Sequence, residues 1–252
     1  MRGITGVELA DGSVSMKPSA YWQGDKMLDL QKRWERIRVA NLFDTLDEMG
    51  YPNQCIDLSI KPLFPEQRLA GRAVTVRGAR TPYSREELKR HKEKIDFEHV
   101  LPLIYPGAIV VVDGGGEPVT GKFGEMTSWA LQHGGAKGIV IDGFIRDYLG
   151  LKEIPAFTVC SRGTSPIESD GRWAILEHNV PIGMPGTLTS QVRVKPGDWI
   201  IGGPDGVIVV PDEIAADALR RASDIETREE GMRKDLAQGI DFATAFAKWG
   251  RA

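Results

Sequence analysis

The first long hydrophobic pattern of the chain has the spacing of a helix. Over residues 25–49, apolar side chains recur every three or four positions, and Gly50 followed by Pro52 predicts the helix end. Residues 1–24 are polar and contain Gly and Ser, so we expect an N-terminal arm or a segment that depends on a partner. The apolar positions of the predicted helix are Met27, Leu28, Leu30, Trp34, Ile37, Val39, Leu42, Phe43 and Leu46.

The pattern then changes from the helical period to the alternation of a strand. Residues 69–76 (LAGRAVTV) alternate and predict a strand. Residues 84–99 are strongly charged and predict a helix, in which Ser84 is the N-cap and Glu87, three residues on, completes a capping box.

The middle of the chain predicts a strand–helix–strand unit. Residues 108–112 are an unbroken apolar run, as in a strand covered on both faces. Residues 125–133 predict a helix that ends at a Gly-Gly pair, and 138–141 predict the next strand. Further strands are predicted at 156–160, 198–201 and 207–210, the last two joined by the turn-rich residues 202–206.

The C-terminal residues 213–248 predict a long helical segment with possible breaks near Gly231 and Gly239. No internal repeat, low-complexity tract or linker divides the chain. We therefore predict one α/β domain over residues 25–212, preceded by an arm (1–24) and followed by a helical tail (213–252).

Composition narrows the function classes. The chain has 252 residues, 41% hydrophobic and 27% charged, which is ordinary for a soluble globular protein. The net charge of -3 argues against a nucleic-acid partner, since that needs a basic footprint. No apolar run approaches the ~20 residues of a membrane helix, and the N-terminus has no secretory h-region, so we expect a cytoplasmic protein.

Cysteine and histidine spacing gives no sign of a zinc site. Cys55 and Cys160 are too far apart for a short metal-binding motif; free, partly buried thiols in a reducing compartment are expected, with one disulfide as the alternative. The four histidines show no HxH or HExxH pattern.

The strand–helix–strand unit carries the candidate chemistry. Glu125 and the adjacent pair Arg146-Asp147 are separated by the twenty residues 126–145. A helix beginning at Gly124 would offer first-turn amides and the positive end of its dipole to a carboxylate. Arg146 offers a planar guanidinium for the same carboxylate. Asp147 is a hard oxygen ligand suited to Mg²⁺ or Mn²⁺, and Glu125 would orient metal-bound water.

Each of these features also has a plain structural explanation. An Arg-Asp pair after a strand is commonly a surface turn with a local salt bridge. The triple glycine 114–116 lacks the P-loop and GxGxxG patterns, so a tight turn is the expected role. Glu125 alone would serve as a first-turn acid. Their co-occurrence in one unit favours a site for a metal and a 2-oxo acid, in which the metal would act as a Lewis acid.

Five segments in order then resemble the RraA-like family, which includes 4-hydroxy-4-methyl-2-oxoglutarate/4-carboxy-4-hydroxy-2-oxoadipate aldolases. The resemblance covers roughly residues 39–211. It implies a single β/β/α swivelling-type domain in homotrimers or homohexamers with intersubunit active sites. The segments are LAGRAVTV, PGAIVVVDGGG, GEMTSWALQHGGAKGIVIDGFIRD, PAFTVCSRGTSP and VKPGDWIIGGPDGVIVVP.

The resemblance also implies a role for each site residue. Arg146 and the backbone amides of Met126 and Thr127, in the turn opened by Gly124, would hold the pyruvate-end carboxylate. Asp147 would ligate Mg²⁺ or Mn²⁺, and Glu125, where the family has Asp, would hold metal-bound water.

Three positions depart from the family pattern. Gly150 stands where many members carry an acid, three residues after the Asp, and Glu125 is one methylene longer than Asp. Residues 77–106 are longer than usual and add basic residues that are either a solvated face or a lid over an acidic or polyhydroxylated substrate. Those residues are Arg85, Lys89, Arg90, Lys92 and Lys94. An acid from a neighbouring subunit's tail is also possible, with Glu226, Glu229 and Glu230 as candidates.

The sequence thus predicts a divalent-metal-dependent lyase of the class II aldolase type. It would cleave a 4-hydroxy-2-oxo acid or related sugar acid to pyruvate or an analogue, with oxaloacetate decarboxylation as a side activity. The alternative is a non-catalytic regulator that binds a ribonuclease or another protein. A third option is a different lyase or hydratase on sugar acids.

Overall fold

A computed structural model describes residues 7–8, 14–15, 25–90 and 96–250, with side chains from residue 29 onward except that of residue 89. The strands are β1 (Val7–Glu8), β2 (Val14–Ser15), β3 (Lys61–Pro62), β4 (Leu69–Arg80), β5 (Ala108–Asp113), β6 (Gly138–Ile141), β7 (Phe144–Ile145), β8 (Thr158–Ser161), β9 (Gly163–Thr164), β10 (Trp173–His178), β11 (Ile182–Pro185), β12 (Gln191–Val194), β13 (Trp199–Gly203) and β14 (Gly206–Val210). The α-helices are α1 (Asp25–Arg36), α2 (Val39–Glu48), α3 (Arg85–Arg90), α4 (Glu125–His133), α5 (Tyr148–Lys152), α6 (Ala215–Ala237) and α7 (Phe242–Trp249).

The main sheet is mixed and has a parallel centre. Its order is β14-β13-β4-β5-β6-β8-β3, and β10 pairs with β4 as well. Strands β4, β5, β6 and β8 run parallel, and the other pairings are antiparallel. Because β5 and β6 are covered on both faces, their residues from Ala108 to Val112 and from Gly138 to Ile141 are all buried.

One segment connects the two edges of this sheet. Ile56 N donates to Val207 O on β14 (2.9 Å), and a few residues later β3 pairs with β8 at the opposite edge. The sheet is therefore nearly closed and barrel-like, with helices at both ends of the chain. This mixed α/β architecture confirms the predicted fold class.

The apolar side chains form three buried clusters around the sheet. One lies between α1, α2, α6 and the β13–β14 hairpin, and includes Trp34, Leu42 and Trp199. A second lies under α4 and includes Val110 and Leu131, while a third fills the space towards the β11–β12 hairpin. The N-terminal and C-terminal helices thus share one core.

The predicted helix over residues 25–49 is wrong in its continuity. The structure has two helices, α1 and α2, separated at Ile37 and Arg38, where Arg38 is extended (φ -74°, ψ 139°). The amide of Arg38 donates to Glu226 Oε1 on α6 (2.7 Å). A long-range hydrogen bond therefore stabilises a break that the regular apolar spacing does not reveal.

The charged helix predicted over 84–99 is shorter than expected. Its start is as predicted, since Ser84 N and Oγ both donate to Glu87 Oε2 (2.8 Å each). Helix α3 is described over Arg85–Arg90, and residues 91–95 lie outside the described residues. Residues 97–99 form a 3-10 turn that begins after the extended Asp96, so the predicted helix does not reach residue 99. Lys92 and Lys94 thus fall outside the description.

The C-terminal tail breaks at one of its two predicted positions. Helix α6 ends at Ala237, just before Gly239 with its positive φ of 85°, whereas it continues through Gly231. A Cβ at Gly231 would lie 2.4 Å from the Trp249 ring, so this glycine makes room for α7 to pack on α6. Among the described helices, none has the length and apolarity needed to cross a membrane.

Several short strands and one short helix were not predicted. They are β1, β2, β3, β7, β9, β10, β11, β12 and α5. Strand β4 is also four residues longer than predicted, because β13 pairs with its first residues and β10 with its last.

Candidate active site

The parallel strands bring the predicted site residues to one edge of the sheet. Helix α4 begins after the loop that leaves the carboxyl end of β5, and Arg146-Asp147 follow β6 and the short β7. Both segments therefore lie at the carboxyl ends of neighbouring parallel strands, where open α/β sheets commonly bind ligands.

The start of α4 is where the sequence predicts it. Gly124 is the N-cap, and its amide donates to Thr127 Oγ1 (2.9 Å). The next amide, of Glu125, donates to Asp147 Oδ2 (3.1 Å). The first turn of the helix thus already receives one carboxylate, and Met126 and Thr127 supply further first-turn amides that have no partner within the helix.

Asp147 has a rare backbone conformation for a non-glycine residue. Its φ of 65° and ψ of 47° are left-handed, which Asp tolerates better than most side chains. This conformation precedes α5 and directs the exposed carboxylate towards the start of α4. A Cβ at Gly124 would lie 2.4 Å from Asp147 Oδ2, so only glycine there permits this approach.

Arg146 lies across the loop that precedes α4. Its amide donates to Phe123 O (2.8 Å), and a Cβ at Gly121 would lie 2.0 Å from Arg146 Cγ. Its Nη1 is 3.9 Å from Glu168 Oε1, and its buried Nε has no hydrogen-bond partner among the described residues. The Arg146 side chain is one-third exposed (34%), and its guanidinium has donors left for a ligand.

Glu125 extends from α4 to α5. A Cβ at Gly150 would lie 2.0 Å from Glu125 Oε2, which means that the Glu125 side chain occupies the space beside this glycine. The structure therefore brings Gly124, Glu125, Arg146 and Asp147 together as predicted, with Met126 and Thr127 on the adjoining turn.

The donor set suits a hard divalent ion that keeps several waters. Asp147 and Glu125 offer carboxylate oxygens, the ligands that Mg²⁺ and Mn²⁺ prefer. Among residues 29–90 and 96–250, no group of three or more His, Cys, Asp or Glu side chains is placed to hold a metal. An ion here would depend on one or two carboxylates together with water and substrate.

The loop before α4 contains a buried ion pair that the sequence did not predict. Lys122 and Glu117 are both buried, and Lys122 Nζ contacts Glu117 O (2.9 Å) and Oε2 (3.1 Å). Burial opposes ionisation of Glu117, but hydrogen bonds from Thr120, Lys122 and Val119 lower its pKa to about 2. Neither residue lies on a periodic element, so no hydropathy pattern identifies them.

The triple glycine forms a turn, as expected. Gly115 N donates to Asp113 Oδ1 (2.8 Å), and Gly115 and Gly116 have positive φ (60° and 68°). Burial raises the pKa of Asp113 although the Gly115 amide opposes this. At the neighbouring strand end, Asp142 accepts from Arg162 Nε (3.0 Å).

Glu168 connects the site to the long segment 77–106. Its Oε1 faces Arg146, and its Oε2 accepts from Arg85 Nη2 on α3. Arg85 Nε also donates to Asp170 O (3.2 Å). Arg85 is thus the described basic residue of α3 that reaches the neighbourhood of the site, whereas Arg90 is exposed. Glu168 was not predicted, because it lies in the loop between β9 and β10, where no motif or periodic pattern marks it.

The candidate acids of the C-terminal helix have partners within the chain. Glu226 accepts hydrogen bonds from Arg38 N (2.7 Å) and Asn41 Nδ2 (2.9 Å). Glu229 accepts from Asn41 Nδ2 (2.9 Å) and Arg233 Nη1 (2.7 Å). Glu230 is exposed and pairs with Lys234 (2.7 Å). The hydrogen bonds of Glu226 and Glu229 therefore hold α6 against α2.

The two cysteines, Cys55 and Cys160, are free thiols, as predicted, and both are buried. Burial raises the pKa of both thiols. They are inert positions of the core rather than reactive groups.

With this geometry established, comparison with known proteins decides the family. The family model RraA-like (Aldolase/RraA) matches residues 39–209, more than half of the chain. The chain belongs to the RraA-like family. Within it, the chain is 30% identical over 216 residues to a Halalkalibacterium halodurans protein named "Putative 4-hydroxy-4-methyl-2-oxoglutarate aldolase", covering 84% of this chain and 91% of that protein.

Solved structures show the same RraA-like architecture. Streptomyces coelicolor RraAS2, described as an unusual member of the RNase ES inhibitor RraA protein family, has a TM-score of 0.69 and 26% identity, covering 84% of this chain and 98% of that one. A chain described as a novel cellulase from gut-associated microbes has a TM-score of 0.71 and 27% identity, covering 85% and 90%.

Proposed function

We propose that this RraA-like protein is a divalent-metal-dependent lyase of the class II aldolase type. It would cleave a 4-hydroxy-2-oxo acid, or a related sugar acid, to pyruvate or an analogue. The observation that carries the proposal is the placement of Arg146, Asp147 and Glu125 at the start of α4. The relative named as an aldolase supports the same reaction class.

Arg146 and the first turn of α4 would bind the substrate carboxylate. Arg146 Nε has no hydrogen-bond partner among the described residues, and Nη1 lies 3.9 Å from Glu168 Oε1. A carboxylate can accept two parallel hydrogen bonds from a guanidinium, and the first-turn amides of Met126 and Thr127 lie at the positive end of the helix dipole. These groups would fix the 2-oxo acid end of the substrate.

Asp147 would ligate Mg²⁺ or Mn²⁺, and Glu125 would accept hydrogen bonds from water in the same site. The left-handed backbone of Asp147 supports this assignment, since strained positions that the fold maintains cluster at functional sites. When bound, the ion would supply Lewis-acid polarisation of the 2-oxo group.

The reaction breaks one carbon–carbon bond. The 4-hydroxyl group loses its proton and becomes a carbonyl, while the electron pair of the C3–C4 bond passes to C3 and forms the enolate of pyruvate, which then takes up a proton. Loss of CO₂ from oxaloacetate leaves the same enolate, so we propose this decarboxylation as a side activity.

We also propose a homotrimer or homohexamer with sites between subunits, located in the cytoplasm. Met126, Tyr148 and Leu149, which adjoin the site residues, are 68%, 43% and 78% exposed. Apolar side chains exposed together beside a site are typical of a surface that a partner covers. Free cysteines agree with a reducing compartment.

A regulator that binds a ribonuclease or another protein is the second candidate. The likeness to RraAS2 favours it, because that protein is described as a member of an RNase inhibitor family. Gly150, which removes an acid of the family pattern, also favours it. The hydrogen bond from the first turn of α4 to Asp147, next to Arg146, favours the enzyme.

A thermal-shift experiment separates the two candidates. We expect Mn²⁺ with oxalate, a mimic of the pyruvate enolate, to raise the Tm of the wild-type chain, because a ligand that binds the native state stabilises it by about 2.7 kcal/mol at a hundred times its Kd. Arg146→Ala should lose the oxalate contribution but keep that of Mn²⁺. Asp147→Asn should lose both, and it is preferable to Ala because Asn tolerates the left-handed conformation.

The regulator predicts a different result. Equal Tm values with and without Mn²⁺ and oxalate, together with direct binding to a ribonuclease, would reject the lyase in favour of it.

A further inference from the structure

The backbone conformation at position 150 does not require glycine. Gly150 lies inside α5, between Tyr148 and Lys152, and it is not among the glycines with positive φ. Glycine is a poor helix former relative to alanine, because it loses more conformational freedom on folding. Some feature outside the helix backbone therefore accounts for it.

The Glu125 side chain is that feature. An ideal Cβ at Gly150 would lie 2.0 Å from Glu125 Oε2, 2.2 Å from Cδ and 2.7 Å from Cγ. Real Cβ atoms essentially never approach another heavy atom so closely, so any side chain at 150 displaces the whole outer half of Glu125. All three heavy atoms nearest to that Cβ belong to the Glu125 side chain.

This space belongs to the same short helix turn as Asp147. Asp147 is the N-cap of α5 and Gly150 is the third residue of that helix. Meanwhile Asp147 Oδ2 is bonded to the Glu125 amide at 3.1 Å, and Gly124 leaves room for that oxygen. Gly124 at the N-cap of α4 and Gly150 within α5 thus leave room for the two carboxylates between these helices.

We propose that Gly150 is a positioning residue for Glu125: it leaves open the space over the first turn of α5 in which the Glu125 carboxylate lies on the Asp147 side of the site. The Glu125 side chain lies against Gly150, so the position of the carboxylate that α4 contributes depends on the absence of a side chain at this point of α5. This inference rests on the proposed metal site.

The test is a double-mutant cycle on the full-length chain, with Mn²⁺ binding measured by calorimetry after EDTA treatment. Gly150→Ala and Glu125→Ala should each raise the Kd for Mn²⁺ about tenfold, as changes to groups around metal ligands do. The double variant Glu125→Ala/Gly150→Ala should bind no more weakly than Glu125→Ala, since Ala at 150 then displaces nothing.

Thermal unfolding without metal supplies a second readout that does not depend on the metal. Gly150→Ala should raise the Tm in the Glu125→Ala background, where only the better helix propensity acts. In the wild-type background the displaced Glu125 should cancel that gain. Circular dichroism identifies any variant that fails to fold.

Three results would overturn the inference. Wild-type Mn²⁺ affinity in Gly150→Ala, or effects of the two substitutions that simply multiply to about a hundredfold, would show that Gly150 does not act through Glu125. Equal Tm gains from Gly150→Ala in both backgrounds would show that there is no steric coupling. Undiminished Mn²⁺ binding in Asp147→Asn would instead reject the metal site itself, and the role of Gly150 with it.

Discussion

At the residue scale, the site depends on where side chains are absent. Three glycines leave room for the side chains of the site. Asp147 lies against Gly124, Arg146 against Gly121 and Glu125 against Gly150. The separation along the chain is more than twenty residues in each pair. Glycines in a sequence indicate turns first, and only the structure shows that these three provide room for charged side chains.

Gly124→Ala tests this role most simply. Gly124 has φ -139° and ψ -167°, which alanine adopts without strain, so the variant should fold. Its Cβ would lie 2.4 Å from Asp147 Oδ2 and should move that carboxylate away from the first turn of α4. We expect Mn²⁺ affinity, measured by calorimetry, to fall about tenfold. Unchanged affinity with an unchanged Tm would show that the close approach has no functional role.

At the element scale, the connection from β5 to α4 is fixed by a buried ion pair rather than by regular structure. Glu117 accepts hydrogen bonds from Thr120 N and Oγ1 (2.9 and 2.6 Å) in addition to Lys122, and both charged side chains are nearly inaccessible. The loop thereby holds Gly121, Phe123 and Gly124 in place beneath Arg146 and Asp147. The Lys122–Glu117 ion pair therefore stabilises the loop conformation on which the geometry of the site depends.

Glu117→Gln should therefore change stability in a pH-dependent manner. The pKa of Glu117 is lowered from 4.5 to about 2, so its stabilisation is present above pH 4.5 and is lost as the pH falls towards 2. A shift of this size corresponds to about 3 kcal/mol at pH 7. Urea unfolding at several pH values should show the wild-type advantage at pH 7 disappearing by about pH 2.

The control is Glu213→Gln, which removes an exposed acid whose pKa is also lowered, mainly by a backbone hydrogen bond and by Lys195. We expect a much smaller change for this exposed pair. A constant difference between Glu117→Gln and wild type across the pH range would contradict the ion-pair account.

Regular elements were the part of the fold that the sequence could predict. The runs that became β5, β6 and α4 have clear periods and clear stops, such as Gly134-Gly135, so their bounds were nearly correct. The break at Arg38 depends on Glu226, which lies 188 positions away, and no local period contains that information. The two-residue strands β7 and β9 are too short to show any alternation.

The site was predictable to a similar degree. Glu125, Arg146 and Asp147 could be found because a strand–helix–strand unit brings their positions together. Glu168 and the Lys122–Glu117 pair could not, because their partners are set by tertiary contacts within loops. The role of Gly150 could not be predicted from the sequence either, because its contact with Glu125 is a tertiary contact between two helices.

At the scale of the whole molecule, the nearly closed sheet presents the site at an apolar surface. Leu149 is 78% exposed and Met126 is 68% exposed, and each adjoins a residue of the site. The proposed homo-oligomer would cover this surface with a second copy. Burial there would also exclude water from the Arg146 and Asp147 side chains.

Leu149→Glu should weaken this assembly. We expect light scattering after size-exclusion chromatography to show a smaller mass than for wild type, because a charge would be buried in an apolar interface. Leu188→Glu is the matched control, as Leu188 is also a strongly exposed leucine (61%) and lies in another part of the chain. A monomeric wild type, or equal masses for wild type and Leu149→Glu, would contradict the proposed interface.

The most direct test of the central claim is pyruvate release, followed with lactate dehydrogenase in the presence of Mg²⁺ or Mn²⁺ and, separately, EDTA. The substrates are 4-hydroxy-2-oxo acids, 2-oxo-3-deoxy sugar acids and oxaloacetate. The lyase proposal predicts release that requires metal and is lost in Asp147→Asn, with Arg146→Ala mainly raising KM. Release that persists in EDTA and in Asp147→Asn, or no release from any of these substrates, would contradict it.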